Sequence, residues 1–258
     1  MDSLELFSLK DKTSVVVGGG GVLAGEMAEG MADAGANVSI LDINFEAAEA
    51  RALAICKKGK RAIAIATDVT RKADLESALE ATVLEFGGVD ILLNAAGINS
   101  ATPFFEITEE EWDRLLDVDL KGVFLACQVF GKRMVEAGKG GSIINISSIA
   151  SGPPLSKVFT YCVAKAGVNQ ITQFLAREFA PYNVRVNAIL PGFFPAEQNR
   201  KVLTAERKAK ILDHTPMARF GDASELIGAA VFLASGQASS FVTGSMLRVD
   251  GGFNSITI

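Results

Sequence analysis

Short apolar runs alternate with helix-compatible segments along the 258-residue chain, which predicts a single α/β domain on a doubly wound sheet of about seven parallel strands. Three observations carry that expectation. The runs of Val, Ile and Leu lack polar alternation, as strands buried on both faces require. Each is followed by a segment long enough for a crossover helix. The composition, 49% hydrophobic and 21% charged with only 7 Pro, can fill a large interior and is not that of a disordered chain.

Taken in order, Thr13-Ser-Val-Val-Val17 is a β-branched run closed by four glycines, and Val22 to Ala34 carries Ala, Met and Glu suited to a helix. Asn37 to Leu41 and Arg61 to Thr67 repeat the strand pattern, with helices expected at Phe45 to Lys58 and Lys72 to Phe86. Val89 to Asn94 predicts a fourth strand before one long helical stretch, Thr108 to Ala137. A fifth strand, Ser142 to Ser147, precedes a helix from about Tyr161 to Phe179. Val184 to Leu190 is the sixth, and a helix near Ser224 to Ala234 leads into a seventh near Met246 to Val249. Phe193 to Arg219 breaks this rhythm. It is too long for an ordinary connection and is expected to form a substrate lid within the single domain 1–258.

A net charge of −5 argues against a surface devoted to nucleic acid or an anionic membrane. Neither partner is expected. The start of the chain lacks the basic and apolar segments of a secretory signal, and no apolar run reaches 18 residues. Cys56, Cys127 and Cys162 are spaced for neither a zinc site nor a disulfide framework, so a reducing cytoplasm is the expected compartment. His214 is the only histidine and is too isolated for a metal site; it is expected to cap or pack in the lid.

A strand running through Gly18-Gly-Gly-Gly21 into a helix brings backbone N–H groups and a positive helix end to a pyrophosphate. Gly18, Gly21, Val22 and Leu23 are its candidate contacts. A bare glycine cluster is more often a flexible turn, but here strand and helix flank it. Asp42 closes the second strand at about the spacing of a carboxylate that takes a ribose 2′-hydroxyl. That points to NAD over NADP, because an acid there repels a 2′-phosphate and Ile43 and Asn44 supply no cation. Asp42 as a plain helix cap is the competing reading.

Tyr161-Cys-Val-Ala-Lys165 puts Tyr and Lys on one helix face. The pair is common by chance, yet the chain has only 2 Tyr, and Ser148 ends the fifth strand, on the sheet edge where ligands bind in open α/β folds. The trio suits hydride transfer between a nicotinamide and a carbinol or ketone. Tyr161 serves as acid/base, Ser148 bonds the reacting oxygen, and Lys165 holds the ribose and favours tyrosinate.

These residues resemble the short-chain dehydrogenases/reductases over essentially the whole chain. The resemblance lies in the glycine turn, Asp68-Val69, Asn94-Ala95-Ala96-Gly97, Asn145-Ile-Ser-Ser148, Tyr161-x-x-x-Lys165, Asn187-x-x-x-Pro191-Gly192 and Asp250-Gly251-Gly252. It implies a Rossmann-type fold of seven parallel strands and a homotetramer assembled through the two long helices. It further implies that Asp68 and Val69 lie on the adenine side, that Asn94 to Gly97 support the sheet beneath the cofactor, and that Pro191 and Gly192 border the nicotinamide. Three positions depart from the family pattern. Val17 replaces a Thr, Val22 replaces a Gly, and Asp119 stands where the family uses an Asn to hold a proton-relay water, so the tetrad of Asp119 with Ser148, Tyr161 and Lys165 differs in charge.

The segment 193–219 carries a net +3 within a chain of −5, which suits an anionic small-molecule substrate. Gly192-Phe-Phe-Pro-Ala-Glu-Gln-Asn-Arg200 and His214-Thr-Pro-Met-Ala-Arg-Phe-Gly221 resemble the D-mannonate oxidoreductases (fructuronate reductases) of that family, which implies a sugar acid. Arg200, the cation nearest in sequence to Gly192, is the candidate for its carboxylate. A solvated helix face explains the charge run equally well. A 3-oxoacyl carrier-protein reductase, a polyol dehydrogenase and a non-catalytic dinucleotide-binding sensor remain as alternatives.

Overall fold

The computed structural model describes residues 5–195 and 204–255; Arg200 lies outside the described residues. Seven strands, β1 (Thr13–Val17), β2 (Asn37–Asp42), β3 (Ala62–Ala66), β4 (Ile91–Asn94), β5 (Gly141–Ile146), β6 (Val184–Pro191) and β7 (Met246–Val249), form one parallel sheet in the order β3-β2-β1-β4-β5-β6-β7. The order reverses between β1 and β4. That opens a crevice at the carboxyl ends of the strands.

Side chains alternate between faces along each strand, so an unbroken apolar run feeds two cores. Val16, Ile40, Leu93 and Ile144 pack on one face with Met27 and Leu233. Val15, Val17, Leu92 and Ile143 pack on the other with Leu75 and Phe130. Full burial of a side chain such as Phe130 or Leu92 is worth about 1.5–3 kcal/mol. Helices α1 (Val22–Asp33) and α8 (Ile227–Ala234) contribute to the first core. Helices α3 (Lys72–Phe86), α5 (Gly122–Ala137) and α6 (Phe159–Phe179) cover the second. Between them along the chain lie α2 (Phe45–Lys57), capped by Asn44, and α4 (Glu109–Leu116), capped by Thr108.

One element differs from expectation. The stretch from Thr108 to Ala137 is not one helix: α4 and α5 are joined by a five-residue π-helical turn, Asp117–Lys121. The extra residue turns Asp119 inward, where its carboxylate finds tertiary partners that no surface position offers. Among the described residues no helix is long and apolar enough to cross a membrane.

Candidate active site

The glycine turn sits at the mouth of the crevice. Gly18 adopts φ +76°, and a Cβ there would lie 2.6 Å from the Ala96 backbone nitrogen, so only glycine fits beneath the loop after β4. Gly18 N and Gly19 N donate to Leu41 O at 2.7 and 3.1 Å, closing the turn onto the end of β2. Gly21 occupies the N-cap of α1 without a side-chain cap, which leaves the N–H groups of Val22 and Leu23 open for an anion. The Asp42 carboxylate accepts from Gly20 N at 3.0 Å and from Asn44 N at 2.9 Å, so it is fixed beside the turn with acceptor capacity to spare.

Across the crevice, α6 is tied to the carboxyl end of β5. Ser147 Oγ donates to Lys165 O at 3.1 Å, and Lys165 Nζ donates to Ile146 O at 3.2 Å. Asn169 Nδ2 donates to Ser151 Oγ at 2.8 Å. These bonds hold Ser148, Tyr161 and Lys165 around one edge of the sheet. Ser148 Oγ accepts from Ala150 N at 3.1 Å, leaving its own proton available. Lys165 Nζ lies 5.5 Å from the centre of the Tyr161 ring.

Asp119 enters from the π-helical turn. Its Oδ1 accepts from Ile98 N at 2.7 Å, and its Oδ2 lies 3.2 Å from Lys165 Nζ. The two side chains are 0% and 4% exposed, so this is a buried ion pair. Oδ2 is not aligned for a hydrogen bond, and a Cβ on Gly97 would meet it at 3.0 Å. Burial pushes the Asp119 carboxyl above its ordinary value, while the Lys165 ammonium and the Ile98 N–H pull the other way.

The remaining predicted positions divide between contact and support. Asn94 Nδ2 donates to Asn145 Oδ1 and Asn145 Nδ2 to Thr172 Oγ1, both at 2.9 Å, which links β4, β5 and α6 beneath the crevice. Ala95 N donates to Val17 O and keeps the strand ends aligned. Asp68 Oδ1 accepts from the Thr70 N–H and hydroxyl and shapes the loop after β3, whereas Val69 is buried against Gly122. Pro191 ends β6, and Gly192 N donates to Val249 O at 2.9 Å.

The segment 193–219, expected as a lid, carries one helix among its described residues, α7 (Ala205–Asp213), capped by Thr204. Its cations are engaged unequally. Arg219 forms two 2.7 Å bonds with Glu225, Lys210 pairs with Glu206, and Arg207 Nη1 donates to Ser156 Oγ at 2.7 Å. His214 caps α7 through its backbone, and its ring packs on Phe253 with centroids 4.5 Å apart.

With this geometry in view, the family profile described as enoyl-(acyl carrier protein) reductase matches residues 21–254. The 5-keto-D-gluconate 5-reductase of Escherichia coli K12 is 38% identical over 249 residues, 96% of this chain and 97% of its own. The chain belongs to the short-chain dehydrogenase/reductase family. It is an oxidoreductase acting on CH–OH groups. Two solved structures superpose with TM-scores of 0.94. A candidate D-mannonate oxidoreductase from Haemophilus influenzae with bound NAD is 36% identical, over 99% of each chain. A gluconate 5-dehydrogenase from Burkholderia cenocepacia J2315 in complex with NADP and tartrate is 34% identical, over 99% of this chain and all of its own.

Within this short-chain dehydrogenase/reductase, several groups at the site escape a reading of the sequence. The Ile98 N–H, the Thr172 hydroxyl and Asn254, whose Nδ2 donates to Ile149 O at 3.1 Å, belong to no motif. Arg207 did have a signal. Thr204-Ala-Glu-Arg207 opens like a capped helix, which fixes the angle at which Arg207 projects.

Proposed function

We propose that the protein is an NAD-dependent oxidoreductase that interconverts a secondary alcohol and a ketone on a sugar acid of the gluconate or mannonate type. The observation that carries this reading is the buried Asp119–Lys165 pair beside the Tyr161 ring and Gly97, which lies on the same loop after β4 that packs on Gly18 of the glycine turn flanked by Asp42. The close approach of Gly18 to Ala96 and the uncapped start of α1 fit a pyrophosphate, and Asp42 fits a ribose diol. When bound, a nicotinamide dinucleotide supplies or accepts the hydride. During reduction the Tyr161 hydroxyl gives its proton to the carbonyl oxygen, and the Ser148 hydroxyl donates a hydrogen bond to the same oxygen. Lys165 stabilises the phenolate that remains, and Asp119 holds Lys165 in position. Gly18, Gly21, Val22, Leu23, Asp68, Val69, Asn94 to Gly97, Pro191 and Gly192 form or support the cofactor surface.

The sugar-acid class is supported by relatives named for gluconate and mannonate chemistry. Of the two similar solved structures one holds NAD and the other NADP, and the Asp42 carboxylate beside the glycine turn supports NAD here. We read the enzyme as a cytoplasmic homotetramer, supported by three free cysteines and by the exposed apolar side chains Phe124 on α5 and Phe159, Val163 and Phe174 on α6. Fluorescence titration with NADH and NADPH tests the cofactor: NADH binds more tightly, and Asp42→Ala narrows the gap. Equal or tighter NADPH binding defeats the assignment. Turnover of sugar acids, neutral polyols and 3-oxoacyl thioesters tests the substrate. Tight cofactor binding without turnover of any of them would mark a sensor.

A further inference from the structure

Helix α7 and the loop that follows Ser148 line an open cavity of about 460 Å³. Phe193, Pro154, Ile211 and Phe253 supply its apolar wall, and Arg207 and Lys210 supply its charge. Among the described residues that line it there is no Asp or Glu.

The two cations differ in what they have left to offer. Lys210 Nζ is 2.7 Å from Glu206 Oε1 one turn earlier on the same helix, an exposed pair that satisfies its charge locally. Arg207 is half-buried, donates only to the Ser156 hydroxyl and has no carboxylate partner among the described residues. A guanidinium carries five donors in a planar fork, so most of its capacity is unspent, and the group that matches the fork is a carboxylate.

The cavity adjoins the catalytic edge. Its wall at Pro153 to Ser156 belongs to the chain segment that leaves Ser148, and Phe193 directly follows Gly192. Asn254 also lines it and bonds Ile149 O, one residue beyond Ser148. A substrate whose carbonyl sits at Ser148 and whose carboxylate lies several bonds away would extend toward this wall.

We infer that Arg207, oriented by Ser156, recognises the substrate carboxylate and sets the preference for an acid over a neutral sugar. This rests on the oxidoreductase reading above. It moves the anion contact from Arg200, chosen for nearness in sequence, to the cation that the fold turns into a cavity.

Reduction of 5-keto-D-gluconate and of neutral 5-keto-D-fructose by wild type, Arg207→Ala, Arg207→Lys and Arg200→Ala tests it. Arg207→Ala lowers the acid-over-neutral ratio of kcat/KM about ten- to hundredfold, chiefly through KM, as loss of a charged hydrogen-bonded contact does. Arg207→Lys recovers only part of the ratio, because an ammonium restores the charge and not the fork. A fall of less than about threefold, or a larger fall in Arg200→Ala, overturns the inference. Calorimetric titration of D-gluconate into NADH-loaded protein reads the same contact without turnover, because the alcohol has no hydride acceptor there. If wild type reduces neither ketone, the catalytic reading fails, while loss of gluconate binding in Arg207→Ala still sustains the anion site. Equal binding by the two proteins overturns it.

Discussion

Asp119 is the residue at which folding and chemistry make opposing demands. Its ionised carboxylate is the only counter-charge close to the Lys165 ammonium among the described residues, yet burial disfavours that ionisation. Removing one partner of a buried pair strands the other, so Asp119→Ala should cost about 3–5 kcal/mol in denaturant unfolding. Asp119→Asn keeps an acceptor for Ile98 N and removes the titration. A carboxyl whose folded-state pKa lies above its unfolded value contributes stability that is complete below about pH 4 and is lost as pH rises through the raised folded value. Wild type should therefore lose stability relative to Asp119→Asn over that window. Should wild type instead gain on the variant there, the Lys165 attraction outweighs burial. Tyr161 is simpler. Tyr161→Phe deletes the proton donor and little binding surface, so turnover should fall about 10²–10⁴-fold with NADH affinity nearly intact. Retention of more than about a tenth of the rate would remove Tyr161 from the proton step.

Among the elements, the turn between β1 and α1 tolerates least. Gly18→Ala forces an L residue to φ +76° and drives its Cβ to 2.6 Å from a backbone nitrogen that cannot rotate away. The conformation alone costs about 1–2 kcal/mol, and the contact adds to it, so the variant should unfold at lower urea and bind NADH more weakly. An unchanged midpoint would mean that the loop after β4 yields easily. The strands were legible because a parallel strand buried on both faces needs only a local apolar run, and Val15, Val16 and Val17 advertise theirs. Ser148, Tyr161 and Lys165 were legible for a similar reason: strand end and helix start are local features. The π-helical turn was not. Periodicity runs through Asp117 to Lys121 unbroken, and the bulge exists because Asp119 reaches Ile98 N and Lys165, partners 21 and 46 positions away. Arg207, the cation proposed for the substrate carboxylate, was not singled out in the sequence because distance along the chain says nothing about which cation a helix turns toward a cavity.

For the molecule as a whole, the outer surfaces of α5 and α6 bear on assembly. From Phe159 to Phe174, α6 exposes Phe159, Val163, Ala166, Gln170, Gln173 and Phe174, and its one charged side chain in that span, Lys165, is buried. Helix α5 begins the same way, exposing Phe124 and Gln128 before Lys132. By contrast, α3 exposes mainly charge, at Lys72, Glu76, Glu80 and Glu85, with Leu84 as its one exposed large apolar side chain. Val163 and Phe174 are three turns apart and form one stripe, and Phe174 is 62% exposed. Exposed apolar side chains interleaved only with uncharged glutamines suit an interface better than a face meant for water. In an interface between identical chains each residue is buried twice, so one Phe in each copy adds about 1.5–3 kcal/mol twice over. Phe174→Glu reverses that gain by placing two unpaired carboxylates in the contact. Sedimentation should give the wild type a four-chain mass, and Phe174→Glu a smaller species with an unchanged circular dichroism spectrum. A wild type that sediments as a single chain at micromolar concentration would leave the stripe as surface and remove α5 and α6 from assembly.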